Sequence, residues 1–95
     1  MAKTVRYVNT SSGVNVRDAA AGNKVRSLLQ GTLMIYDTAN APVKKALNGT
    51  TYTWIKVTYY YKGSNDQYLM ATEATGWVTQ NNTTEVSTTI PDKSS

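Results

Sequence analysis

The chain has 95 residues and a formal net charge of +4, from 10 basic and 6 acidic residues, and it contains neither cysteine nor histidine. This length allows one domain with one modest core and no disulfide to stabilise it. The absence of thiols and imidazoles excludes thiolate metal sites and removes the commonest general base. No apolar run approaches the roughly 20 residues of a membrane-spanning helix. The N-terminus lacks the apolar stretch of a secretory signal.

Hydrophobic alternation, with turn clusters between the alternating segments, predicts short strands in the first part of the chain. Each predicted strand places its apolar residues on one face. The predicted segments are residues 3–9, 14–16, 25–29 and 33–36.

The clearest predicted strand covers residues 51–61, where β-branched and aromatic residues dominate. Its alternation directs Ile55 and Val57 toward the core and Trp54 toward the opposite face. Residues 43–47, just before it, are compatible with a short helical turn.

Asn48-Gly49 is a strong turn signal. Gly76-Trp77-Val78 predicts a last short strand, with Val78 toward the core and Trp77 on the opposite face. Residues 81–95 are polar and predict a tail or linker, with one added edge strand around 85–89 as the alternative. The expected architecture is therefore all-β, with five to seven short antiparallel strands in a small barrel or sandwich over residues 1–80.

Four motifs in a fixed order carry a resemblance to a known family. They are Ser12-Gly13-Val14-Asn15-Val16-Arg17-Asp18, Gln30-Gly31-Thr32, Trp54-Ile55-Lys56-Val57 and Gly76-Trp77-Val78. Over residues 5–79 the chain resembles the bacterial Src-homology-three-like domain, a small β-barrel appended to cell-wall enzymes. The resemblance implies a non-catalytic module that anchors a wall hydrolase, such as an endolysin or autolysin, to peptidoglycan or its cross-bridge peptide.

The resemblance also implies where such a module works and with which partners. It would act outside the cell or at the cell wall, as part of a larger or associated protein that carries the catalytic domain. No cofactor, metal, nucleic acid or membrane is expected as a partner. A homo-oligomer remains an alternative.

Amphipathic aromatics and one arginine are the candidate ligand-binding residues, because aromatic rings pack well against peptide backbone and sugar faces. The arginine side chain has a planar fork that binds a stem-peptide carboxylate or else braces a neighbouring loop. The alternative for the aromatics is a structural role in covering the barrel end or pairing across strands. The candidates are Trp54, Trp77, Tyr59, Tyr60, Tyr61, Tyr68, Tyr7 and Arg17.

Catalysis is not expected. The acidic residues are far apart in sequence, and no histidine is present to activate the many serines and threonines.

The first rival function is a protein-interaction or oligomerisation module that uses the tyrosine run 59–61 and the tail. Nucleic-acid binding is a weaker rival because the basic residues are scattered. Trp54→Ala or Tyr60→Ala is expected to weaken wall binding while the fold survives.

Overall fold

The computed structural model describes the backbone of residues 3–61 and 72–87, with side chains for residues 3–59 and 74–87. Eight strands occupy most of this part of the chain, and one short 3-10 turn, Gln80–Asn82, precedes the last of them. The strands are β1 (Lys3–Val8), β2 (Val14–Arg17), β3 (Lys24–Leu28), β4 (Leu33–Asp37), β5 (Val43–Leu47), β6 (Thr50–Tyr61), β7 (Thr72–Thr79) and β8 (Thr83–Val86).

The strands form one antiparallel sheet, which confirms the all-β prediction. Its order is β3-β2-β7-β6-β4-β1-β8, and β5 pairs with the first half of β6. The prediction of a closed barrel of five to seven strands is wrong, because the sheet of the described residues has eight strands and is open. Its edge strands β3 and β8 carry Lys24, Arg26 and Glu85.

The segment 43–47 is a strand, so the expected helical turn there is wrong. It pairs with β6 over five positions, from Val43 opposite Trp54 to Leu47 opposite Thr50. Asn48 and Gly49 connect the two strands with φ angles of 52° and 83°. Two positive φ angles match the turn geometry that suits the right-handed twist of a tight hairpin. The turn therefore overrides the weak helical preference of the preceding residues.

The last strand, β8, lies close to the edge strand anticipated around residues 85–89 and pairs with β1. Arg6 fixes it: its Nε donates to Thr83 Oγ1 at 2.8 Å and its Nη2 to the Thr83 carbonyl oxygen at 3.1 Å. Asn9 Nδ2 adds a bond to Thr84 Oγ1 at 2.8 Å. The sheet therefore brings the first and last described strands side by side.

One hydrophobic core lies on the inner face of the sheet, as the alternation in β2, β6 and β7 predicts. Burying each large aliphatic side chain stabilises the fold by about 1.5–3 kcal/mol. The core consists of Val8, Val14, Val16, Leu28, Met34, Tyr36, Ile55, Val57, Tyr59 and Val78.

Gly76 lies where β7 approaches β2 most closely. A Cβ at this position would collide with Cγ1 of the buried Val16 and would lie 3.3 Å from the Arg17 carbonyl oxygen. We therefore expect Gly76→Ala to lower the free energy of unfolding by about 1–3 kcal/mol through overpacking. Urea denaturation measures this loss. Thr75→Ala, at the exposed neighbouring position, should stay within about 0.5 kcal/mol of the parent. Equal stability of the two variants would contradict the proposed close approach.

Candidate functional site

The outer face of the sheet, opposite the core, collects cations and aromatic rings. In β6, alternation directs Tyr52, Trp54 and Lys56 to this face, while Ile55 and Val57 face the core. This division agrees with the prediction from the sequence. The neighbouring strands β2, β5 and β7 determine which side chains accompany them.

A row of four side chains crosses this face from strand to strand. Trp77 of β7 lies directly opposite Lys56 of β6 on one side and Arg17 of β2 on the other. Arg17 in turn pairs with Lys24 of β3, at a register shift that falls between Val16 and Arg17. Directly opposed residues have Cβ atoms about 4.5–5.5 Å apart and share one face. A half-buried indole is thus flanked by cations on both sides.

The β5–β6 hairpin extends the same face. Lys45 is opposite Tyr52, and both are about 13 Å along the strand from Lys56. Lys44 projects from the other face of β5, because successive strand residues alternate. Within the described strand pairings, no acidic residue is opposite a member of this set. We call the set the basic-aromatic face: Arg17, Lys24, Lys45, Tyr52, Lys56 and Trp77.

A cleft of about 190 Å³ opens between β2 and the hairpin. Tyr52 supplies aromatic surface with the buried Trp54 behind it, and Leu47 adds an aliphatic side chain. Arg17 contributes the cation. We call this feature the Arg17 cleft; its other lining residues are Val14, Asn15, Thr79 and Asn82.

Arg17 braces the loop that follows it, which was the structural alternative for this residue. Its Nη1 donates to the Gly22 carbonyl oxygen at 2.8 Å. The loop is closed further by Asp18: its backbone N–H donates to the Asn23 carbonyl oxygen at 3.0 Å, and its Oδ1 accepts from Asn23 N–H at 2.9 Å. Arg17 therefore has a fixed side chain that still lines the cleft.

Two of the predicted ligand-binding aromatics are buried. Trp54 is 1% exposed, and its Nε1 donates to the Lys45 carbonyl oxygen at 3.0 Å. Its ring meets that of Tyr52 edge to face, with centroids 5.9 Å apart. Tyr59 is also 1% exposed and packs in the core, because it lies on the same face of β6 as Ile55 and Val57. Trp54 supports the cleft, and Tyr59 contributes to the core.

The remaining predicted residues are distributed differently. Trp77 and Arg17 are brought together on the basic-aromatic face. Tyr7 is half-buried on β1, opposite Leu33 and Thr84, three strands away from β7. The side chains of Tyr60 and Tyr61, and all of Tyr68, lie outside the described residues.

Sequence reasoning missed four members of the basic-aromatic face as binding residues: Lys24, Lys45, Tyr52 and Lys56. Lys24 lies just outside the predicted segment 25–29 and was therefore assigned no strand face. Lys56 shares the alternation of Trp54 and was therefore placed on the correct face without being assigned a role. Lys45 was assigned no strand face, because residues 43–47 were expected to form a helical turn. Tyr52 lies in the predicted strand 51–61 but was not among the candidate binding residues. Recognising Asn48-Gly49 as a tight hairpin turn would have aligned Lys45 with Tyr52.

The cations and rings of the basic-aromatic face are groups that can bind anions and pack against peptide or sugar surfaces. In the part of the chain that the structure describes, no three His, Cys, Asp or Glu side chains form a group that would hold a metal ion. Nor does that part contain a helix with the length and apolarity needed to cross a membrane. Comparisons with protein-family models, curated proteins and solved structures gave no match.

Proposed function

We propose that this chain is a non-catalytic module that binds bacterial peptidoglycan or its cross-bridge peptide and directs an attached or associated wall hydrolase to its substrate. The observation that carries the proposal is the row in which Trp77 is flanked by Arg17 and Lys56. The motif order supports the same assignment. The proposed relationship to the Src-homology-three-like family rests on this motif order, since the sheet of the described residues is open rather than a closed barrel.

The row fits the chemistry of a wall polymer. Peptide backbone and sugar faces pack on a rigid indole with little loss of conformational entropy. Carboxylates of the stem peptides and phosphates of attached polymers are anions that arginine and lysine bind. Because the cations lie at the surface, salt should weaken their contribution while leaving ring packing largely intact. The corresponding site of action is the extracellular wall.

A charge reversal on each face of β5 tests the proposed surface. Lys45 and Lys44 are adjacent, both exposed and equal in charge, but only Lys45 lies on the basic-aromatic face. We expect Lys45→Glu to weaken binding to purified walls about tenfold at low salt, since a repulsive charge replaces an attractive one. Lys44→Glu should leave the affinity within about twofold, because exposed charges contribute little by themselves. Co-sedimentation measures both affinities, and equal losses would contradict a face-specific site.

Self-association is a second candidate function, favoured by one observation. At the open edge formed by β3, Val25 is 52% exposed, and Leu29, the residue just after this strand, is 71% exposed. Unpaired strand edges beside apolar side chains favour pairing between chains. Sedimentation velocity over a range of concentrations separates the two functions. A dimer that dissociates in a Val25→Lys variant would support this candidate, and a monomer at all concentrations would contradict it.

A further inference from the structure

We propose that the Arg17 cleft binds the carboxyl end of a short peptide with small apolar side chains. The inference deepens the wall-binding proposal and rests on it. The cleft, at about 190 Å³, is smaller than the roughly 300–1,000 Å³ of pockets that enclose drug-sized ligands. It therefore suits an end group and its neighbouring small residue rather than a long side chain or a whole sugar chain.

The arginine presents the geometry that a carboxylate requires. Its Nη1 is bonded to the Gly22 carbonyl oxygen. Within the described residues, no hydrogen bond engages Nε or Nη2, which form the other edge of the guanidinium. Two parallel N–H groups on one edge bind a carboxylate in bidentate fashion. Because the bond to Gly22 fixes the guanidinium plane, little side-chain entropy is lost when the ligand binds.

Apolar surface lies beside this cation. Leu47 and Tyr52 are half-buried, and the buried Trp54 supports them. The edge-to-face contact of the Tyr52 and Trp54 rings holds Tyr52 in place. A methyl side chain next to the bound carboxylate would pack on this surface. A polyphosphate chain, in contrast, would meet one cation and then an apolar wall.

Two amide side chains supply the groups that a peptide backbone needs. Asn15 Oδ1 accepts from Ser27 Oγ at 3.1 Å, which leaves its Nδ2 as a donor for a peptide carbonyl oxygen. Asn82 Nδ2 donates to Thr79 Oγ1 at 2.6 Å, which leaves its Oδ1 as an acceptor for a peptide N–H. Cation, donor, acceptor and apolar wall together match the end of a peptide.

The probe is N-acetyl-alanyl-alanine with a free carboxylate, titrated into the isotopically labelled chain and followed by amide chemical shifts. The matched probe is the same dipeptide with a C-terminal amide. We expect the free acid to bind with a Kd on the order of 1 mM and to shift the signals of Asn15, Leu47 and Tyr52. The amide should bind at least about tenfold more weakly, because it cannot form the charged bidentate pair. Equal binding of the two probes, or binding of neither, would overturn the proposal.

The chirality of the dipeptide distinguishes two sources of a peptide carboxyl end, namely the stem peptides of the wall and the C-termini of ordinary proteins. The D,D form of the dipeptide represents the ends of wall stem peptides, and the L,L form represents ordinary protein C-termini. Stronger binding of the D,D form supports a wall ligand. Stronger binding of the L,L form, or no preference, would overturn the link to the wall.

Variants locate the binding in the cleft. Leu47→Trp should fill the cleft and abolish dipeptide binding. Ala46→Trp adds the same ring on the opposite face of β5 and should leave binding unchanged. Arg17→Lys keeps the charge but loses the fork, so the affinity should fall about tenfold. Normal binding by Leu47→Trp would overturn the assignment. If the parent chain pellets with walls but does not bind either dipeptide, only this inference fails. If the chain binds no dipeptide and does not pellet with walls, the wall-binding proposal fails as well.

Discussion

Trp54→Ala should lower the free energy of unfolding by about 3–5 kcal/mol, the range for truncating a large buried aromatic. The ring is 1% exposed, so its removal leaves a cavity beneath the β5–β6 hairpin. The substitution also leaves the Lys45 carbonyl oxygen without its side-chain donor. Since small domains are stable by only about 5–15 kcal/mol, this loss is a large fraction of the total stability.

Chemical denaturation followed by circular dichroism measures this effect. Trp54→Phe is the matched control, because it retains an aromatic ring and removes the bond from Nε1 to the Lys45 carbonyl oxygen. Trp54→Phe should lower the free energy of unfolding less than Trp54→Ala does, because the phenylalanine ring fills part of the space that alanine leaves empty. A Trp54→Ala chain as stable as the parent would contradict the buried position of this residue. This expectation replaces the earlier one that the fold survives the change while binding is lost.

Trp77→Ala should have the opposite signature: a large loss of wall binding with a smaller loss of stability. Trp77 is half-buried between Arg17 and Lys56, at the centre of the proposed surface. Aromatic residues at the centre of an interface commonly contribute about 2 kcal/mol or more, so the affinity should fall about 30-fold or more. The cost in folding free energy should be about 1–2 kcal/mol.

Trp77→Phe controls for ring packing. It keeps an aromatic surface of smaller area, so wall affinity should fall by less than in Trp77→Ala. Co-sedimentation isotherms at fixed salt measure the affinities, and thermal unfolding measures the stabilities. A folded Trp77→Ala chain that binds walls as tightly as the parent would remove Trp77 from the proposed site.

The sequence was most informative where local pattern determines the structure. Alternation placed Ile55 and Val57 in the core and Trp77 on the opposite face, because the side-chain period of a strand is two. Asn48-Gly49 indicated its turn, since both residues tolerate positive φ. The strand 43–47 was missed because it forms through pairing with β6, and this partner becomes evident only when Asn48-Gly49 is taken as a two-residue hairpin turn.

The open sheet and the burial of Trp54 could not be predicted for a related reason. Closure of a sheet depends on whether its edge strands meet, which is a contact between β3 and β8 rather than a property of either strand. Alternation placed Trp54 on the outer face correctly. Whether that face is covered depends on how the hairpin and Asn82 lie over it. The candidate site residues were chosen by residue type alone. They therefore included Trp54, whose buried ring supports the cleft, and Tyr59, which lies in the core.

The most direct test of the wall-binding proposal is co-sedimentation of the unmodified chain with purified walls from several Gram-positive species. The walls should be compared before and after the attached anionic polymers are stripped, at low and at high salt. We expect the chain to pellet with stripped walls and to retain most of this binding at high salt, because ring packing on peptidoglycan is insensitive to screening. Failure to pellet with any wall would contradict the proposed function. Pelleting only with unstripped walls, and only at low salt, would contradict peptidoglycan as the ligand.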